Sequence, residues 1–348
     1  MRALASLIVS VLGMTSAACS QSYAQDAAHT EVSQVKVVVG SDVAERLAVQ
    51  KQVKAAIDSS DFAKLNALEA RFVRDRTRFA SGGWALSEYY KSLASSLYRV
   101  NSEDGCQARS DAFITAWRRF DPKAPAPIIA SAGLLLSQAW CVRGNGWASQ
   151  VSPEAMALFR KQTGQAYQML TAHPSAAVDP HYYAVLTDSY IDIGKDVADM
   201  EELLDRAIAV EPSYYETYYR ASRYYKTRWY GAPGDLDRFA RMIMNRTRKA
   251  DGRGVYARIY LYIADCHCRD TVPTPDRELM REALRDIIVS QPVSRNVNRA
   301  IREACLVGDY AESAELFRLL GPGDEAMGWE SPADQARCRE QTRQGQAL

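Results

Sequence analysis

Histidine is scarce in this chain, with four in 348 residues. None stands in a setting that suggests acid-base chemistry: His29 lies in a polar stretch, His173 and His181 flank a proline turn, and His267 sits between two cysteines. A His-Glu-x-x-His zinc helix, a Gly-x-Ser-x-Gly elbow, a phosphate-binding glycine loop and a dinucleotide fingerprint are all missing, which removes the common enzyme signatures. Charge excess is missing too. A net charge of +1 supplies no global attraction for nucleic acid, so no nucleic-acid partner is expected. Runs of strict polar-apolar alternation are absent, which argues against sheets, and past the N-terminus no run approaches the roughly 18 apolar residues of a membrane-crossing helix. From these absences no catalytic residue, cofactor or metal is assigned.

What is present begins with an export signal. Arg2 precedes an apolar run over 3–13, and small residues follow it. Ser22-Tyr23-Ala24 before Gln25 fits cleavage by a signal peptidase, while Ser16-Ala17-Ala18-Cys19 is an imperfect lipoprotein box. The expected organisation is a signal peptide over 1–24, a flexible tether over 25–41 and a helical-repeat domain over 42–348. The expected location is periplasmic or secreted; the alternative is an outer-membrane lipoprotein tethered to the membrane through lipidated Cys19.

From about Asp42 the apolar residues recur at helical spacing. Phe62, Leu65, Leu68 and Phe72 mark one stripe, and Met200, Leu203, Leu204, Ala207 and Ile208 mark another. Short breaks such as Gly144-Asn145-Gly146 and Glu211-Pro212 separate the stripes, giving roughly fourteen helices joined by tight turns. The fold class is all-α.

Two stretches, "QAYQMLTAHPSAAVDPHYYAVLTDSYIDIG" and "RAIAVEPSYYETYYRASRYY", both run amphipathic helix, proline, then a Tyr-rich helix, and "GDYAESAELFRLLG" adds a turn followed by small residues. These resemble tetratricopeptide repeats, although Pro174 and Pro212 stand 38 apart where that family's period is 34. The resemblance implies an irregular α-α superhelical solenoid. A broader likeness covers most of the mature chain. "DFAKLNALEARFVRDRTRFASGGWALSEYYKSL", "AWRRFDPKAPAPIIASA" and "RWYGAPGDLDRFA" resemble a bacterial domain-of-unknown-function family, number four-zero-three-four, of helical-repeat proteins. That likeness implies a fold and names no catalytic residue.

The stretch "RWYGAPGDLDRF" reads first as a corner. Asp235 is expected to cap a helix starting at Leu236, Pro233 ends the preceding one, and Gly231 and Gly234 supply unusual backbone angles. Trp229 and Tyr230 then either seal the core or meet a ligand. Ten of the nineteen tyrosines fall between Tyr182 and Tyr230, and around Tyr214–Tyr225 they form two files, with Tyr215 and Tyr219 in one of them. Downstream, Arg238, Arg241, Arg246, Arg248, Lys249, Arg253 and Arg258 face a single acid, Asp251. Aromatics beside arginines are the usual make-up of interface hot spots, against the plainer reading of packed rings and a solvated helix face. The expected function is a binding or assembly module whose Tyr- and Arg-rich groove (Tyr215, Tyr219, Trp229, Tyr230, Arg238, Arg241) takes a protein or peptide partner, an acidic one by charge. The alternative is a cell-envelope hydrolase or transferase with scattered carboxylates, recognisable by convergent carboxyls of shifted pKa.

Seven cysteines complete the inventory. Cys266-His267-Cys268 with Cys305 and Cys338 suits zinc by ligand type, but in an oxidising compartment disulfides are the simpler reading. Cys106 and Cys141 are expected to bridge the open end of a helical hairpin, one at the start of its first helix and one at the end of its second. Cys266, Cys268, Cys305 and Cys338 are then expected to pair among themselves.

Overall fold

The computed structural model describes residues 32–40, 42–98, 106, 111–265, 274–321 and 328–345. The expected signal peptide lies outside them. Among the described residues fifteen α-helices follow one another: α1 (Val43–Asp58), α2 (Phe62–Arg74), α3 (Ala85–Leu97), α4 (Asp111–Phe120), α5 (Pro125–Arg143), α6 (Pro153–Thr171), α7 (His181–Ile193) and α8 (Val197–Val210), then α9 (Tyr215–Ala221), α10 (Asp235–Asp251), α11 (Gly254–Asp265), α12 (Arg277–Ser290), α13 (Ser294–Leu306), α14 (Tyr310–Leu320) and α15 (Pro332–Gly345). Two isolated β-bridges join described residues, Val38 with Val293 and Arg78 with Trp84.

The helices form where the stripes and caps place them. Asp61 accepts the Lys64 backbone N–H at 2.9 Å and opens α2, whose Leu65, Leu68 and Phe72 are buried. Asp196 does the same for Asp199 at 2.9 Å and opens α8, whose Met200, Leu203, Leu204 and Ala207 are buried. Each large apolar side chain taken fully out of water contributes about 1.5–3 kcal/mol before its entropy is counted, so these two stripes suffice to dock both helices. The helix α5 corrects one expectation. It is 19 residues long and apolar enough, by length and composition, to cross a bilayer, yet 61% of the qualifying window is buried inside the protein. Its alanines, serine and glycine dilute the apolar run and mask it in the sequence.

Helices pack on their sequence neighbours and also on the next but one: α1 on α3, α3 on α5, α5 on α7, α7 on α9, and α9 on α11. The odd-numbered helices from α1 to α11 therefore touch one another in succession. Residues 32–40, placed in a free tether by the sequence, are docked instead. The Val38 N–H donates to the Pro292 carbonyl at 2.7 Å, the Ser294 N–H donates to the Val38 carbonyl at 3.0 Å, and Val32 is buried. Apolar valines at positions 32, 35 and 37 give this strip a face to bury. Beside it Asp42, itself buried, accepts the Ser81 N–H at 3.1 Å and fixes the 79–83 loop. From that loop the Ser81 carbonyl accepts Asn296 Nδ2 and Arg258 Nη2, both at 3.3 Å, which joins the N-terminal helices to α11 and α13.

One polar knot sits inside the core. Asp179, fully buried, accepts the Tyr90 hydroxyl at 2.5 Å and the His181 N–H at 2.7 Å. The Glu69 carboxyl hydrogen-bonds Asp179 as well, and burial, reinforced by the Asp179 charge, pushes it far above the ordinary carboxylate range. Glu69 thus carries the proton that Asp179 accepts. The His181 ring stacks on Tyr90 at 3.9 Å and shares a 2.8 Å hydrogen bond with the Tyr214 hydroxyl, while burial keeps the imidazole neutral. Four helices, α2, α3, α7 and α9 through its preceding Tyr214, meet at this knot.

Candidate functional site

The corner after α9 is built from its glycines. A Cβ on Gly231 would collide with the Tyr225 backbone carbonyl, so only glycine lets the chain pass there, and Gly234 holds φ +89° at the N-cap of α10. Asp235 is not the cap but the first helical residue. Its carboxylate reaches back to the Ala232 N–H and also pairs with Arg238. The turn so formed carries Tyr230, which donates to the Ile191 carbonyl at 2.9 Å and stacks on Tyr224. Trp229 meets Trp140 of α5 edge to face at 5.7 Å, with the Arg223 guanidinium over its ring at 4.8 Å. The corner is sewn to the C-terminal ends of α5 and α7.

Between these ends opens a cleft of about 1020 Å³. Trp140, Trp147, Phe159, Trp229 and Tyr230 supply its aromatic walls. Trp147 is 60% exposed, and Arg228 lies over its ring at 4.8 Å. Arg143, Arg160, Lys226 and Arg228 line the same cleft, and none has a carboxylate within ion-pair distance among the described residues. Burial, with the nearby Arg223 charge, lowers the Lys226 pKa. The single carboxyl in the wall, Asp192, is already engaged by Trp140 Nε1 at 2.8 Å and Arg223 at 3.0 Å, and burial raises it to about 6. What remains available is a set of flat apolar plates and free positive charge, a combination that suits an anionic ligand with some apolar surface.

The cleft is the first of three chambers along the odd-numbered helices. Trp140 and Asp192 also bound a middle chamber of about 280 Å³ between α3, α5, α7 and α9, where Arg220 pairs with Asp188 at 2.7 Å. Lys91 of that chamber in turn bounds a third, of about 160 Å³, walled by Tyr215, Tyr219, Tyr262 and the first turn of α13. Glu69 and Asp179 open into none of the three. Tyr90 and His181 line the middle chamber and stand between it and the acid pair. The convergent carboxyl pair Glu69 and Asp179 is therefore sealed in the core, while Asp192, also raised, stands in the cleft wall with its partners already in place.

The six residues singled out from the sequence separate. Trp229 and Tyr230 line the first cleft, and Tyr219, stacked on Tyr262 at 4.5 Å, lines the third chamber. Tyr215 touches that chamber but is only 3% exposed, its hydroxyl donating to Asp251 at 2.7 Å and its ring under Arg258 at 4.6 Å. Arg238 and Arg241 line no chamber. Arg241 is held by Asp237 at 2.6 Å and Asp276 at 2.9 Å. Two more cations of the basic segment are spent likewise, Arg246 on Glu201 and Asp205, and Arg253 on Glu282 and Asp286. The cations that face the cleft, Arg143, Arg160, Lys226 and Arg228, were not singled out. The Gly144-Asn145-Gly146 break followed at once by Trp147 was the available signal.

Cys106 and Cys141 are joined, with Cα atoms 5.7 Å apart. Cys106 takes φ +61°, outside helical geometry, and α4 is described from Asp111. Cys305 of α13 is joined to Cys338 of α15, also with Cα atoms 5.7 Å apart. Cys266, His267 and Cys268 lie outside the described residues, among which no group of three or more His, Cys, Asp and Glu is arranged to hold a metal. Comparison with protein-family models, curated proteins and solved structures finds no match to this chain.

Proposed function

We propose that the chain is an exported, tetratricopeptide-like helical solenoid, akin to the bacterial family named above, that works as a binding module and captures an acidic peptide segment in its tryptophan-lined cleft. The observation that carries this reading is the set of four cations without counter-ions beside three tryptophans, in a chain whose other arginines are mostly paired. A cation left without a counter-ion in the free protein favours whatever brings a negative charge to it, and an indole offers a rigid plate at low entropic cost. The two disulfides support an oxidising, extracytoplasmic location, in keeping with the export signal.

Tryptophan fluorescence provides the test, since three of the six tryptophans border the cleft. Titration with a peptide of alternating glutamate and leucine should shift the emission saturably, and the affinity should fall with added salt. The lysine counterpart of the peptide should not bind. Equal affinity for both peptides, or unchanged affinity in a Trp229→Ala, Lys226→Gln variant with an intact circular dichroism spectrum, would reject the proposal.

A further inference from the structure

The third chamber carries charge of its own. Five cations line it, and three are accounted for: Arg46 pairs with Asp42 at 3.0 Å and Glu88 at 2.8 Å, Arg299 with Asp265 at 2.5 Å, and Lys91 with Glu216 at 3.7 Å. Arg258 has no carboxylate. It spends its guanidinium on the Gln291 side chain at 2.7 Å and on the Ser81 carbonyl. Arg295, in the first turn of α13, makes no hydrogen bond and no ion pair among the described residues, although it is half-buried and borders the chamber.

An arginine is not left like this for stability. Burial first, then the like charges of Arg299 and Arg46, depress its pKa, and the weaker opposing pull of Asp42 and Asp265 does not offset them. The five donors of a guanidinium form a fixed fork that matches an oxyanion, and here the whole fork is free. Space is available as well, since about 160 Å³ exceeds several-fold the roughly 15 Å³ that a single water needs. Beside the fork, the parallel rings of Tyr219 and Tyr262 give the chamber an apolar wall that screens the charges from bulk water.

We infer that this chamber is an oxyanion site, with Arg295 as the principal donor and Arg258 as the second charge, taking the phosphate or carboxylate group of a small anionic ligand. The inference stands apart from the tryptophan cleft, because it rests on different residues and on a different chamber.

Thermal unfolding of the full chain with its disulfides intact tests it, comparing inorganic phosphate and succinate with chloride at equal ionic strength. A saturable rise in the wild-type midpoint with either oxyanion is expected, absent in Arg295→Gln and kept in Arg238→Gln, which alters an exposed pair remote from the chamber. In chloride, Arg295→Gln should unfold no earlier than the wild type, because it removes a repelled and desolvated charge. Arg295→Lys, which keeps the charge without the fork, should show a weakened rise. The inference is overturned if neither oxyanion raises the midpoint, if Arg295→Gln shares the rise, or if Arg295→Gln is markedly less stable in chloride, since that last result would make Arg295 a structural donor.

Discussion

Replacing Glu69 by Gln should change how stability depends on pH more than it changes stability itself. Glu69 is 4% exposed and hydrogen-bonded to Asp179, and its carboxyl is raised from 4.5 to about 9 by burial first and by the Asp179 charge second. In the unfolded chain the same group ionises near its ordinary value. Between those limits the folded protein therefore holds a proton that the unfolded chain has released, so stability is full below pH 4.5 and is lost as the pH rises toward 9. Asp179, raised from 3.8 to about 6, adds a slope of the same sign over its own narrower range. His181 acts in the opposite sense. Its folded pKa lies well below 6.5, so the unfolded chain binds the extra proton there and stability falls as the pH drops below 6.5.

The effects of Glu69, Asp179 and His181 overlap in acid and separate above pH 6.5, where the folded chain still holds the Glu69 proton. One proton contributes about 1.4 kcal/mol per pH unit, so from pH 6.5 to pH 9 the wild type should lose about 3 kcal/mol. Glutamine keeps a donor for Asp179 and does not titrate. Urea unfolding followed by near-ultraviolet circular dichroism, with both disulfides closed, should show the wild type converging on or falling below Glu69→Gln as the pH rises. Parallel profiles for the two proteins across that window would refute the shared-proton account of the core.

Three other outcomes are expected. Cys141→Ser opens a bridge of sequence separation 35, for which the chain-entropy model gives a loss of about 4 kcal/mol, read as the difference in urea unfolding with and without reductant. Gly231→Ala forces a methyl group into the Tyr225 carbonyl and should cost about 1–3 kcal/mol through the shift it imposes, measurable as a lowered thermal midpoint. If the cleft binds an acidic peptide, Arg228→Gln, which removes an exposed cation over Trp147, should weaken that affinity by about 0.5–1 kcal/mol while leaving the unfolding midpoint unchanged.

The helices were legible in the sequence because their signals are local. A capping aspartate followed by apolar residues three and four apart, as in α2 and α8, needs no knowledge of the rest of the chain. The bridge between Cys106 and Cys141 could be ranked for a related reason, since the two cysteines stand at similar sequence distances on either side of the short turn between α4 and α5, and they meet. The docking of residues 32–40 was not legible. It depends on a partner strip at Val293 more than 250 positions away, and the valines of the segment show no periodicity that distinguishes a covered strip from a linker.

The site failed to read from the sequence for a physical reason that the arginines expose. Counting charges along the segment from Arg238 to Arg258 finds seven cations against one acid, yet Arg241, Arg246 and Arg253 are each neutralised by carboxylates on α8, on α12 or at its cap, or one turn earlier on α10 itself. Helices laid side by side satisfy each other's charges across the seam, so a local excess in sequence predicts little about local excess in space. Several of the cations left over lie where the seam ends. Arg143 sits in the last turn of α5, Arg228 lies beyond the end of α9, and Arg295 sits in the first turn of α13. At such ends no parallel neighbour brings an acid into register, and a cation kept there in a chain of net charge +1 is free to meet a charge from outside. The corner "RWYGAPGDLDRF" belongs to this class of places: its glycines fix the turn, and the turn sets Trp229 and Tyr230 beside Arg228 at the mouth of the cleft.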